Sequence, residues 1–369
     1  MKFKADIKKL LSVCKTTTGA TKTNTLLPMS SNLLLEVLSE EELQITASDG
    51  QNVIISQATI ENGEVGSICV SSIDFTDILY RNEVGNITIH VLENNKIQFR
   101  TKHSRAHISG IPAHEFLDIP DVSEITYDFS MPQAVLSRIM ELVLLSTSRS
   151  DRAVFGACLW IINDGCIEFI STNGVIMCHV IYSSPSIKPL FPVRSVIDTR
   201  TLELIQKNMC LSSNDQIRVR VLNNKLHLQT EYHTLCALQI EDQYPNYEQL
   251  ISLEYEHDIT IDRFDLVRSL KAGEKFSGDK SLTIWKFEDE LLTISSQIEQ
   301  RGDSMTSMVI PYTDTPFNIG VNSKHALSIM TTLLKPDIRL TFHNPLQPLY
   351  IFSQEDDIHI HYVLMPMRL

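Results

Sequence analysis

Most of the chain is written in short runs where apolar and polar residues alternate, the period-two pattern of half-buried β-strands. Examples are NLLLEVLS (32–39), LQITAS (43–48), CIEFIST (166–172), LTIWKF (282–287) and LLTISS (291–296). Six stretches break this rhythm with apolar spacings of three and four, which predicts amphipathic helices. One set lies at 5–17, 131–149 and 262–275, and a second, shorter set at 71–82, 198–208 and 322–335. Several open on Ser, Asp or Asn where an N-cap belongs, and Pro132 falls in a first helical turn.

The elements recur at fixed intervals. HVLENNKIQFRT (90–101) and RVLNNKLHLQT (220–230) are both alternating strands broken by an Asn-Asn-Lys turn, a hairpin signal because Asn tolerates positive φ. IRLTFHNPLQPLYIFS (338–353) takes the corresponding third place with Asn-Pro turn chemistry. The repeat is about 123 residues of antiparallel strands plus two helices, an α+β module. Three such modules are expected at 1–124, 125–252 and 253–369, with polar joints around DVSEITYD and EYEHD. Joints this short suggest a rigid, curved array.

Composition places the 369 residues among globular proteins, with 43% hydrophobic and 21% charged residues. No stretch approaches the roughly 20 apolar residues that span a bilayer, so no membrane partner is expected. The seven cysteines form no CxxC pair and sit mostly in apolar strand-like runs. They read as buried small hydrophobes in a reducing compartment, which makes the cytoplasm the expected location. Net charge is -13, which alone argues against nucleic-acid binding. The charge is unevenly spread, however: the six helical stretches sum to +5, leaving -18 for strands and loops. Helices gathered on one surface would line a passage for a polyanion, while the acidic remainder repels unproductive DNA contact. Such a lining touches phosphates rather than base edges and confers no sequence preference.

The C-terminus, VLMPMRL (363–369), is the most specific signal. Together with MKF at the start, Thr25-Leu-Leu-Pro28, Asn32-Leu-Leu-Leu35 and Glu274-Lys-Phe276 followed by Gly278, it makes the chain resemble the bacterial DNA polymerase III β subunit, the sliding clamp, along its full length. The resemblance implies the DNA clamp fold, closed as a head-to-tail dimeric ring of six modules. It implies a processivity factor that encircles duplex DNA and tethers the replicative polymerase and other proteins carrying short hydrophobic motifs. A clamp loader is the further implied partner, and no cofactor is implied.

The same resemblance implies a partner-peptide cleft between the second and third modules. Its wall would comprise Phe155, Thr172, Gly174, Val175, Ile176, Met177, Pro245, Gln249, Leu250 and Leu346, with the tail Val363, Leu364, Met365, Pro366, Met367, Arg368 and Leu369. Such a trough with methionines can repack around different ligands. Lys22, Arg149, Arg152 and Arg200 would face DNA, and Ala106, Ile108, Leu270 and Lys271 would form the dimer seam. Family members commonly carry T-D-G-H-R-L where this chain has TNGVIM (172–177), so the cleft here is less polar. Ala153 and Val154 replace frequent aromatics of the DNA-facing turn, and Ala106 stands where a large aromatic is often found at the seam.

Other constellations carry less. His359 and His361 lie two apart on a strand, a spacing metals can use, but no further ligand is evident and a solvated strand face is the expectation. The RGD within QIEQRGDS (297–304) reads as an exposed loop. There is no GxSxG and no Gly-rich loop leading to a Lys, so no enzymatic activity is expected. The alternative function is a monomeric β-rich adaptor that uses the cleft without encircling DNA.

Overall fold

The computed structural model describes the chain except residues 24, 25, 83, 120–124, 149–152, 213, 252–254 and 299–301. Seven α-helices are found among the described residues: α1 (Ile7–Thr17), α2 (Ser72–Asn82), α3 (Gln133–Leu144), α4 (Thr199–Leu204), α5 (Glu248–Ile251), α6 (Arg263–Glu274) and α7 (Ser323–Thr332). None is long and apolar enough to cross a membrane. Four of the expected caps form: Asp6 accepts from Lys9 N at 3.0 Å, Ser71 from Asp74 N at 3.3 Å, Asp262 from Asp265 N at 2.8 Å and Asn322 from His325 N at 3.1 Å. Pro132 ends the strand Ile125–Pro132 instead of entering the first turn of α3. The four-residue α5 has too little periodicity to be read from the sequence.

The chain condenses into two compact units, Met1–Ser137 with Arg200–Gln239, and Arg138–Thr199 with Ile240–Leu369. Each takes part of the expected middle module, because sheet ladders outrun the joints. Strand His233–Leu238 pairs antiparallel with Asn52–Thr59, with Cys236 opposite Val53. Strand Ile176–Ser183 pairs with Ile358–Leu364, with Cys178 opposite Tyr362. The joints near 124 and 252 lie outside the described residues. The first unit holds one five-stranded and one eight-stranded sheet, the second one eight-stranded and one four-stranded sheet, and every pairing is antiparallel. The Asn-Asn-Lys hairpin puts Asn94 and Asn95 at φ 62° and 59°, as its turn chemistry predicts.

Helices cover the sheets with their apolar faces. In the first unit α1 packs on strand Asn52–Thr59 and beside α2, burying Leu10, Cys14, Phe75 and Leu79 completely. In the second, α6 and α7 pack together, and Leu266, Leu270, Ala326 and Ile329 on them are fully buried. All seven cysteines are free. Burial pushes the thiol of Cys178, a core residue, up to about 12, and does the same to the half-buried Cys210.

Arg138, counted above among the helix cations, is consumed inside the second unit. Its Nε and Nη2 donate to the Glu355 carboxylate at 2.8 and 2.9 Å, Nη1 donates to Glu141 Oε2 at 2.6 Å, and Nη2 also donates to Thr332 O. Glu355 in turn accepts from Leu334 N at 3.1 Å, so the pair ties α3 to the end of α7 and to strand Leu349–Glu355. Removing one partner strands a buried charge, which costs about 3–5 kcal/mol. Arg138→Ala is therefore expected to lower unfolding stability by that amount, measured as a shifted denaturant midpoint.

Candidate functional site

The cleft is built where the C-terminal strand meets a tight turn. Strands Cys166–Thr172 and Ile176–Ser183 are joined by Asn173, Gly174 and Val175. Asn173 Oδ1 accepts from Val175 N at 3.0 Å and from Ile176 N at 2.9 Å, while Gly174 N donates to Thr172 Oγ1 at 3.1 Å. Gly174 sits at φ 86°, the left-handed region that a Cβ would disfavour. The chain end then returns alongside: Met365 N donates to Val175 O at 2.9 Å and Met367 N to Gly320 O at 2.8 Å. Gly320 is required at this second crossing, since a Cβ would lie 2.4 Å from Met367 O.

Below lies a cluster of Leu159, Ile161, Ile170, Met177, Tyr350 and Val363, all buried. The segment 244–251 lies over it and contributes Tyr244, Tyr247, Leu250 and Ile251. The Tyr244 hydroxyl is 3.0 Å from Ile170 O and 3.2 Å from Ala157 O, and its ring meets Tyr247 edge-on at 6.4 Å. The open remainder is a cavity of about 160 Å³.

Of the residues expected in the cleft, Phe155, Thr172, Gly174, Val175, Ile176, Met177, Pro245, Leu250, Val363 and Met365 line this one cavity. Leu364 is buried in its strand, while Gln249 and Leu346 are exposed and stand outside the lining. Pro366, Met367, Arg368 and Leu369 also lie outside it, with Met367 spent on the bridge to Gly320. Asn246 and Tyr247 line the cavity without having been singled out. The aromatic and turn-forming run QYPNYEQL (243–250) was their only signal.

Asn173 caps its own turn, so its amide oxygen does not point at a ligand. An Asp here would accept the same two N–H bonds, which predicts an asymmetry. Asn173→Asp should leave stability within about 0.5 kcal/mol. Asn173→Ala should cost about 1–2 kcal/mol for two lost bonds, read from chemical unfolding curves.

Of the expected DNA-facing residues, Arg149 and Arg152 lie outside the described residues. Lys22 is exposed, in a loop whose backbone is tied to Ser30, with Lys22 N donating to Ser30 O at 2.9 Å. Arg200 donates through Nη2 to Gly19 O, with an Asp49 carboxylate oxygen 3.9 Å from its Nε. It thus braces the loop carrying Lys22 while its side chain stays 41% exposed. Lys8, Lys9 and Lys15 on α1 are exposed as well.

At the expected seam, Ala106 and Ile108 are half-buried on strand Arg105–Ser109, an edge of its sheet. Lys271 is exposed on α6, but Leu270 is a core residue with no exposed surface. Helical geometry turns it 100° from Lys271 and into the unit's own core. Leu270 is thus removed from the set of surface contacts.

The histidine pair also differs from expectation. His359 is exposed, but His361 is half-buried, stacked on Phe352 with centroids 4.3 Å apart and planes at 15°. Burial, then neighbouring His179, push His361 down to about 3, so it is neutral at physiological pH. On that strand face His359 is solvated, as expected, while His361 packs against Phe352. No group of three or more His, Cys, Asp or Glu able to hold a metal is found among the described residues.

Antiparallel sheets backed by helix pairs, with an apolar cleft walled by the chain terminus, define a binding protein of clamp architecture. Comparison with known proteins gives the same class. The family description "DNA polymerase III beta subunit, N-terminal domain" matches residues 1–120, and "DNA polymerase III beta subunit, C-terminal domain" matches 248–368. The beta sliding clamp of Vibrio cholerae is 24% identical over 380 residues, covering 100% of both chains. The solved sliding clamp of Bacillus subtilis superposes with a TM-score of 0.93 at 17% identity, covering 100% of this chain and 99% of that one. A Pseudomonas aeruginosa sliding clamp, described as bound to griselimycin, gives 0.92 at 19% identity with 100% of both chains covered. The chain belongs to the DNA polymerase III beta subunit family, the bacterial sliding clamps.

Proposed function

We propose that this chain is a processivity factor: the subunit of a homodimeric ring that encircles duplex DNA without sequence preference. It tethers the replicative polymerase and other DNA-processing proteins through the cleft bounded by Phe155, Met177, Leu250 and Met365. The observation that carries this reading is a clamp fold along the whole chain whose own C-terminal strand walls an apolar cleft. Phe155, Thr172, Pro245, Leu250, Val363 and Met365 would take one or two apolar anchors of a partner peptide, and griselimycin serves as a probe of the same cleft.

The ring would close head to tail, through sheet edges. Strand Arg105–Ser109 ends a sheet in the first unit, and strand Gly302–Val309 ends one in the second. Each has one side unpaired among the described strands, and Met305 and Val309 are 72% and 79% exposed. Joining these edges between two copies satisfies both backbones and covers that apolar surface. α6, which carries Lys271, packs on the second strand and would flank the seam. Lys22, Arg200 and the α1 lysines would face phosphates. Contacts of this kind are screened at cellular ionic strength and permit sliding, so retention comes from closure.

Such a ring contributes position rather than chemistry: it works without catalysis or a cofactor, in the cytoplasm, and is opened and placed on DNA by a clamp loader. The competing reading, a monomeric peptide-binding adaptor, differs in mass. Sedimentation at micromolar concentration is expected to give twice the 41.9 kDa chain mass. A persistent monomer that fails to assemble with DNA and loader would favour the adaptor.

A further inference from the structure

Strand Ile176–Ser183 carries the cleft at its first residue, and from its last residue runs a loop that leaves two large apolar side chains in water. Leu190 is 99% exposed and Phe191 60%. The root of this loop is fixed. Gly165 N donates to Ile187 O and Ser184 N to Gly165 O, both at 2.8 Å, and Ile187 is fully buried. Pro189 and Pro192 flank the exposed pair, restrict φ and lack an amide donor, so this stretch is stiff and unfit to join a sheet edge. Apolar groups presented this way gain from leaving water and lose little freedom on docking.

We propose that Leu190 and Phe191 of one copy dock in the cleft of a second copy, forming a self-association that masks the cleft. This rests on the cleft reading above. The chemistry matches: among the described residues no charged side chain lines the cavity, and the segment 189–192 has none to bring. At about 160 Å³ the cavity is smaller than the roughly 300 Å³ at which pockets begin to enclose whole drug-sized ligands. It is sized for an anchor or two.

The loop cannot fill its own cleft. Eight strand residues at roughly 3.3 Å each hold the two features about 25 Å apart, and the rooted loop cannot fold back across that span. Opposite ends of one strand are, however, the arrangement a two-fold axis needs. A two-fold axis lying outside the chain, alongside the strand's middle and perpendicular to it, would set each copy's loop at the other's cleft. The contact is reciprocal and closes with two copies. Two weak insertions then act together, the second at high effective concentration. The contact is separate from the seam at strands Arg105–Ser109 and Gly302–Val309, and any partner peptide competes with it.

The test uses the full chain, a Leu190→Ser/Phe191→Ser double variant and a Met365–Leu369 deletion, with griselimycin and a synthetic peptide of residues 185–193 as probes. Sedimentation of the wild type should show a species heavier than the seam dimer that grows with concentration. The double variant, the deletion and saturating griselimycin should each remove it. The loop peptide should bind the wild type and lose at least tenfold in affinity on the deletion variant. Self-association of the double variant equal to wild type, or undiminished peptide binding by the deletion variant, would overturn the proposal. Griselimycin binding without loop-peptide binding would overturn this inference alone. Failure of both ligands would remove the cleft assignment and this inference with it.

Discussion

Deleting Met365 to Leu369 is expected to weaken binding of griselimycin, and of peptides from the replicative polymerase, at least a hundredfold. A hundredfold is about 2.7 kcal/mol, comparable to the roughly 1.5–3 kcal/mol gained when one large apolar side chain leaves water. Met365 is the one deleted residue in the cavity's lining, and its backbone N–H pins it to Val175 O at 2.9 Å. Losing it removes one wall and frees the turn that forms another. The fold should survive. Strand Ile358–Leu364 remains paired on both sides, and the deleted bonds from Met365 N and Met367 N contribute about 1 kcal/mol each. Dimer mass should not change, because the proposed seam uses other strands. Fluorescence-polarisation titrations beside sedimentation runs separate these outcomes, and unchanged ligand affinity would refute the cleft assignment.

What the sequence disclosed depended on how local the physics was. The strand alternation, the Asn-Asn-Lys turn and the Asp6, Asp262 and Asn322 caps are decided within a few residues, and all formed close to where they were read. Pairing partners are not local. No pattern in residues 233–238 says that they lie beside Asn52–Thr59, and it is this ladder that divides the middle third between two units. The cleft was legible through family likeness at the VLMPMRL terminus. Its inner construction was not, because Tyr244 and Tyr247 act through a short irregular segment with no periodic signature.

Charge counting was the least reliable guide. Arg138 counts as a helix cation by position, yet Glu355 and Glu141 neutralise it inside the second unit. Arg81 and Arg268 are paired on their own helices with Asp77 and Asp265, acids the helix sum already cancels, whereas Glu355 lies outside the helices and takes one further charge. The field offered to a polyanion is therefore carried by fewer groups than the count suggests, chiefly lysines such as Lys8, Lys9, Lys15 and Lys22. A weak field agrees with retention by closure. It gives a second large expected effect: at high salt, residence should depend on whether the DNA has ends and hardly at all on its sequence.

The measurement that bears most directly on the central claim is retention on nicked circular DNA before and after one double-strand cut. The chain is loaded with a clamp loader at low salt, moved to high salt, and DNA-bound protein is separated from free by gel filtration. A closed ring predicts persistent association with the circle and rapid loss once a restriction enzyme has linearised it. Equal retention on the circular and linear templates would contradict encirclement.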